Sequence, residues 1–157
     1  MKKCLVCGRE NEDNKEICEE CGANLNAEEV ERDIKNNKAV SIFVYLLDIL
    51  GIIVGYVAGL KSEYAAFHAR EALKIKVTEV IFGIIIILIC VVIGTPWIII
   101  SSSISFFGFP NLGIFWVMLV IYLIAKVLFW VLRFIGAINA GKGKYKKAPL
   151  VVSFPFL

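Results

Sequence analysis

Four cysteines near the N-terminus have the spacing of a metal site. They form two C-x-x-C pairs, Cys4 with Cys7 and Cys18 with Cys21, and a glycine follows each pair. A tight turn within each pair points two thiolates at one ion, and the glycine permits the turn while leaving N–H groups free to bond sulfur. Four sulfurs complete the tetrahedral shell of Zn(II). We therefore predict a structural zinc ion, with no open position for catalysis.

Paired cysteines can also be redox centres or disulfides. Redox C-x-x-C motifs usually begin a helix in a thioredoxin-like unit, and no strand-helix-strand pattern surrounds these cysteines. Residues 1–25 contain few apolar side chains, so metal binding must supply most of their folding energy. The stretch Cys4–Leu25 resembles the zinc-ribbon heads at the N-termini of many small prokaryotic membrane proteins. We predict a zinc ribbon over residues 1–25.

Zinc ribbons often bind nucleic acid, but the composition of this head opposes that function. Acidic side chains outnumber basic ones through Asn26, and no aromatic residue is present to stack on a base. A four-thiolate zinc centre would add further negative charge. We therefore expect no nucleic-acid partner for the head; its expected role is a protein contact or simply the capping of the N-terminus.

Charged residues within the apolar remainder of the chain are further candidates for function. An ionised group in lipid is costly unless it is paired, protonated or in contact with water, and Asp48 lies within the apolar stretch Ala39–Leu60. The sequence leaves open whether Asp48 is a functional site, a protonated acid or a structural partner of Lys126. Lys126 itself either extends to the headgroups, as Arg133 on the same helical face would, or forms an internal charge site.

A second charged cluster, Lys61–Glu79, precedes the longest apolar run. Its candidate functional residues are His68, Arg70 and Glu71, which lie within one helical turn. An interfacial anchor at the membrane surface is the alternative to a site for these three residues.

The elements that must position these residues are membrane helices. The run Val80–Ala125 contains no Asp, Glu, Lys, Arg or His, and a crossing needs about 20 apolar residues, so the run supplies two spans. Turn-forming residues over Ser101–Asn111 separate them. Ala39–Leu60 supplies another span, with a stripe of glycines at every fourth position where a helix can approach closely (Gly51, Gly55 and Gly59).

We therefore predict an all-α integral membrane bundle of three spans with a small N-terminal zinc ribbon. A short or re-entrant fourth segment, Trp97–Phe109, is the alternative. The domains are the ribbon at 1–25, a charged helical linker at 26–38, a transmembrane helical domain at 39–141 and a basic and apolar tail at 142–157. Hydrophobic residues make up 59% of the chain, which is too high for a soluble domain of this size.

The tail carries four lysines suited to anionic lipid headgroups, Lys142, Lys144, Lys146 and Lys147. A basic tail favours the cytoplasmic side of the cell membrane, and so do the reduced thiols of the ribbon. Three spans conflict with this arrangement, because they put the two termini on opposite sides.

A resemblance rests on the block Phe67–Leu73, FHAREAL, together with Ile138–Gly143 and Ala148–Leu150. These residues resemble a family of small helical membrane proteins that includes the Tic-type chloroplast protein-import component and its prokaryotic relatives. The resemblance implies a helical membrane fold and a link to protein translocation.

The predicted function is a non-enzymatic multi-pass scaffold or assembly component, with the zinc head docking a partner or a second copy. The alternative is an oligomeric small transporter, channel or lipid-handling protein that uses the charged residues of the membrane domain. No nucleophile and base pair and no metalloprotease motif occurs in the sequence, so we predict no enzymatic activity.

Overall fold

The computed structural model describes residues 1–94 and 113–147, which form a small head and four helices. The head contains two short antiparallel strands, β1 (Lys2–Lys3) and β2 (Glu10–Asn11), with Lys2 opposite Asn11. The helices are α1 (Ala27–Leu46), α2 (Asp48–Gly59), α3 (Glu63–Ile89) and α4 (Gly113–Gly141). A π-helical segment, Cys90–Gly94, continues α3. The prediction of a mostly helical chain is thus confirmed.

The described chain divides into two compact units. One unit is Met1–Lys76 with Leu132–Leu157, and the other is Val77–Val131. The first contains the head, α1, α2, the N-terminal part of α3 and the C-terminal part of α4. The second contains the most apolar parts of α3 and α4.

Helix α1 begins where the predicted charged linker begins. The side chain of Asn26 accepts a hydrogen bond from the backbone N–H of Glu28, and the first turn carries acidic residues, which suits the positive end of the helix dipole. The helix passes without interruption through Lys38 into the apolar sequence. It buries Val44 and Tyr45 in the core of the first unit.

The predicted first span, Ala39–Leu60, is not one helix. The chain breaks between α1 and α2, where Asp48 adopts a left-handed backbone with φ 53°. After this break α2 packs closely on α1, because Gly51 has no side chain: a β-carbon there would lie 2.4 Å from the Phe43 carbonyl oxygen. The glycine stripe therefore serves contacts within the chain, and three spans are not confirmed.

Helices α3 and α4 include the segments that are long and apolar enough to cross a membrane. These segments are Glu63–Val92 and Trp116–Gly141. Only 6% of the residues in the most apolar stretch of either one are buried within the chain, unlike the core helix of a soluble protein. Their exposed apolar surface needs lipid around it. The predicted fourth segment, Trp97–Phe109, lies outside the described residues.

Local hydrogen bonds mark the N-terminus of α3 and the C-terminus of α4. Before α3, the Ser62 hydroxyl accepts a hydrogen bond from the Ala65 N–H, which caps the helix. After α4, Gly143 takes a left-handed φ of 69°, and the Lys144 N–H bonds the Asn139 carbonyl. This is the Schellman arrangement that ends a helix at glycine. The ends meet, because the Tyr64 hydroxyl donates to the Ala140 carbonyl at 2.6 Å.

Candidate metal centre and buried polar contacts

The four predicted metal ligands converge in the head. All four Sγ atoms lie within 4.8 Å of one another. Cys4 Sγ is 3.6 Å from Cys21 Sγ, and Cys7 Sγ is 3.5 Å from Cys18 Sγ. A tetrahedral ion with metal–sulfur bonds of about 2.3 Å needs its sulfurs roughly 3.8 Å apart. The cluster therefore has the dimensions of a metal site with four sulfur ligands.

The two cysteine turns have the same backbone geometry. Gly8 and Gly22 adopt left-handed φ values of 83° and 70°. The Gly8 N–H donates to the Cys4 carbonyl at 3.0 Å, and the Gly22 N–H donates to the Cys18 carbonyl at 2.9 Å. Only glycine adopts this conformation without steric cost, so the residue after each pair keeps the two sulfurs of that pair close together.

The thiols of the second pair have opposite electrostatic environments. The backbone N–H of Cys21 bonds the sulfur of Cys18 and lowers the pKa of that thiol to about 6. Desolvation within the sulfur cluster raises the pKa of the Cys21 thiol to about 12. Four adjacent thiolates repel one another, so a bound cation is what would allow all four to deprotonate.

The cysteine cluster is linked to the helices by Asn24, which follows Cys21 by three residues. The backbone N–H of Asn24 donates to Glu63 Oε2 at 3.2 Å, and its side-chain amide donates to Glu29 Oε2 at 2.7 Å. Glu29 lies in the first turn of α1 and Glu63 begins α3. The second cysteine pair is therefore linked directly to the starts of two helices.

His68 is buried in the core of the first unit. Its side chain is 0% exposed, and its Nδ1 lies 3.0 Å from the Tyr45 hydroxyl on α1. The ring of Tyr64 packs edge-on against the His68 ring at 4.6 Å between centroids. The backbone of Lys144, just beyond α4, also contacts His68. His68 thus joins three parts of the first unit.

Glu71 lies on the same face of α3 as His68 and is also buried. Its Oε1 accepts a hydrogen bond from Lys74 Nζ at 2.9 Å. The interpretation of His68 and Glu71 as interfacial anchors is therefore wrong, because this helical face packs inside the protein. Arg70 points the other way and is exposed.

Asp48 is paired, but not with the predicted residue. Its carboxylate lies 2.8 Å from Lys76 Nζ on α3 and 3.0 Å from Arg133 Nη2 on α4. Lys126 instead binds Glu79. The predicted Asp48–Lys126 pair is wrong, because the left-handed turn at Asp48 directs the carboxylate to other partners. Lys126 and Arg133 both form ion pairs within the chain, so the expectation that they only extend to the headgroups is wrong.

We expect Asp48 to be energetically coupled to Lys76 and not to Lys126. In a double-mutant cycle with Asp48→Asn and Lys76→Gln, the coupling in thermal stability in detergent should exceed about 0.5 kcal/mol. The matched control cycle pairs Asp48→Asn with Lys126→Gln and should be additive within about 0.5 kcal/mol. Additive losses in the first cycle would contradict the ion pair.

Four residues of these polar contacts were not predicted from the sequence. Tyr45 and Tyr64 were not singled out, although the i, i+4 spacing of Tyr64 and His68 places both on one face of α3. Lys76 was considered only as part of the charged cluster Lys61–Glu79, and Arg133 was expected to extend to the headgroups or to form an internal charge site with Lys126. No local signal predicts their pairing with Asp48, because that contact depends on the break between α1 and α2.

The fold and the site together define a small helical membrane protein with a head in which four cysteines could hold a metal ion. Comparison with protein families identifies it further. The chain belongs to MamF/MmsF, the magnetosome magnetite crystal formation protein family, whose model matches residues 36–157. The match begins within α1, so the cysteine head precedes it.

This membership corrects the resemblance drawn from the FHAREAL block. The matching family is not that of the Tic-type import component, and a link to protein translocation is not supported. No curated protein and no solved structure matches the chain. The FHAREAL block contains His68 and Glu71, and the structure uses both inside the core.

Proposed function

We propose that the chain is a non-enzymatic scaffold in a membrane where magnetite crystals form, with a zinc-clamped head that docks a protein partner. The family description supplies the setting. The scaffold role is supported mainly by one observation: polar and charged residues of the membrane domain join its helices to one another. Asp48 links α1–α2 to α3 and α4, and His68 links α1 to α3. Contacts of this kind fix the helices relative to one another, which suits a scaffold.

Zinc is the proposed ion because the donor set is four sulfurs and the geometry is closed. Cys4, Cys7, Cys18 and Cys21 would hold it, and the ion would fold a head that has little apolar core. With four sulfur ligands no coordination position is left for a substrate, which supports a structural role.

The proposed topology has two complete crossings, by α3 and α4. The N-terminus of α3 and the C-terminus of α4 lie together, and the tail residue Tyr145 packs on Tyr64 and Phe67 near the start of α3. Two crossings put the cysteine head and the basic tail on the same side of the membrane. Reduced thiols and the lysines then both favour the cytoplasm, which removes the conflict of a three-span chain.

In this topology α1 and α2 form a hairpin that enters the membrane and returns. The outward face of α2 is apolar and exposed, with Val57 at 64% and Leu60 at 85%. The four tail lysines, Lys142, Lys144, Lys146 and Lys147, are exposed and suit anionic headgroups. The head is then free to contact a protein partner.

The test uses a magnetite-forming bacterium from which its own family member has been deleted. Expression of the full chain should restore crystal size, measured by electron microscopy. A Cys18→Ser, Cys21→Ser chain should restore it less well than a Cys90→Ser control. If crystals stay defective although the chain is present in the membrane, the proposed setting is wrong.

A second experiment separates the scaffold from the transporter alternative. The purified chain is placed in vesicles loaded with dyes that report protons or divalent metal ions. We expect no flux beyond that of protein-free vesicles, because seven charged residues of the membrane domain are held in ion pairs: Asp48, Glu71, Lys74, Lys76, Glu79, Lys126 and Arg133. Flux that is lost on Asp48→Asn substitution would favour the transporter.

A further inference from the structure

A polar pocket opens beside the head, where the charged part of α1 faces the turn between α2 and α3. Its volume is about 450 Å³, within the range of small-molecule sites. Its charged lining consists of three acids and two bases, Glu29, Asp33, Glu63, Arg32 and Lys61, and Tyr145 of the tail completes one wall. Glu29 and Glu63 also bond Asn24 of the head, whereas Arg32, Asp33 and Lys61 have no role in the scaffold proposed above.

The acids of the pocket are held by neutral donors. Asn24 bonds one oxygen each of Glu29 and Glu63. Asp33 accepts hydrogen bonds from the Tyr64 N–H at 3.0 Å and from the Asn37 amide at 2.8 Å. No base among residues 1–94 and 113–147 forms an ion pair with these three acids. Within the described chain, the three carboxylates are thus held by hydrogen bonds and not by ion pairs.

The bases of the pocket are similarly available. Arg32 and Lys61 are exposed, and neither forms an ion pair within the part of the chain that the structure describes. A pocket lined by both signs of charge matches a ligand that carries both a cation and an anion. Arginine and lysine side chains suit a phosphate, and carboxylates suit an ammonium group with N–H donors.

The pocket also lies where the sequence changes from charged to apolar. On α1 the last charged residue before the apolar stretch is Lys38, and at the end of α2 the highly exposed Leu60 precedes Lys61. Such a change marks the boundary between headgroups and hydrocarbon. A ligand in this pocket can therefore be the headgroup of a lipid whose acyl chains lie along the apolar face of α2.

We propose that this pocket binds the zwitterionic headgroup of an aminophospholipid. Arg32 and Lys61 hold the phosphate, and Glu29 and Glu63 accept hydrogen bonds from the primary ammonium group. A quaternary ammonium cannot donate these bonds and is bulkier, so phosphatidylcholine should be a poor ligand. A purely anionic headgroup would place no cation beside the acids.

The test places the full chain in nanodiscs with equal amounts of phosphatidylethanolamine, phosphatidylcholine and phosphatidylglycerol. Lipid retained on the released protein is measured by native mass spectrometry. Phosphatidylethanolamine should be enriched about tenfold over phosphatidylcholine. Titration with soluble glycerophosphoethanolamine distinguishes a lipid from a free phosphate compound, and weak binding of the soluble compound is expected.

Two variants and one control connect the enrichment to the pocket. Arg32→Gln with Lys61→Gln should abolish it, and Glu29→Gln with Glu63→Gln should reduce discrimination against phosphatidylcholine. Lys35→Gln, an exposed change on α1 outside the lining, should leave it unaltered. The proposal would be overturned by equal retention of the three lipids or by a preference for phosphatidylglycerol. It would also be overturned if the soluble compound bound more tightly than the lipid, or if the enrichment were unchanged in both variants. Lipid retention is read without crystals, so its failure leaves the scaffold proposal standing.

Discussion

The full-length chain is expected to bind one zinc ion per molecule and to lose it when Cys18 and Cys21 are both replaced by serine. Removing one pair leaves two sulfurs, which cannot complete the tetrahedral shell. Metal binding to such sites supplies about 10–16 kcal/mol in zinc-finger peptides, so its loss should unfold the head. Metal analysis and the reactivity of the remaining thiols measure the two effects.

The control for this experiment is Cys90→Ser. Cys90 belongs to the π-helical segment after α3 and is not part of the sulfur cluster. The control should retain one zinc per chain. Stoichiometric zinc in the Cys18→Ser, Cys21→Ser chain would eliminate the four-sulfur site. If the head unfolds in the double variant, Asn24 loses its contacts with Glu29 and Glu63. The backbone amides at the start of α1 should then exchange their hydrogens faster.

The second large effect is expected at the contact between α1 and α2. In Gly51→Ala, the new β-carbon would lie 2.4 Å from the Phe43 carbonyl oxygen and 2.9 Å from the Val44 carbonyl oxygen. Backbone atoms cannot move aside as a flexible side chain can, so the two helices must separate. Overpacking usually costs about 1–3 kcal/mol, and a backbone clash should reach the upper end. Thermal unfolding in detergent measures the loss.

Gly83→Ala is the matched control for this substitution. Gly83 is also helical, but a β-carbon there would meet no atom within 4 Å. Because alanine favours helix over glycine by about 1 kcal/mol, this control should be neutral or stabilising in the folded chain. Equal stability of the Gly51 and Gly83 variants would mean that α2 does not pack closely on α1.

Several features were determined by the sequence alone because they depend on local chemistry. The C-x-x-C-G turns bring two sulfurs together wherever they occur, so the cluster of Cys4, Cys7, Cys18 and Cys21 followed from spacing. The helix predicted over the linker begins at Ala27, after the capping residue Asn26 and with acids in its first turn. The apolar character of α3 and α4 followed from the absence of charge over a long run.

The tertiary structure decided what depends on a change of chain direction. Ala39–Leu60 is apolar enough for one span, and hydrophobicity does not reveal that Asp48 takes a left-handed backbone. That single turn packs α2 on α1 and sends the Asp48 carboxylate to Lys76 and Arg133. His68 became buried for a related reason: whether a polar face of α3 meets water or other helices depends on packing between segments distant in sequence, which local periodicity does not encode.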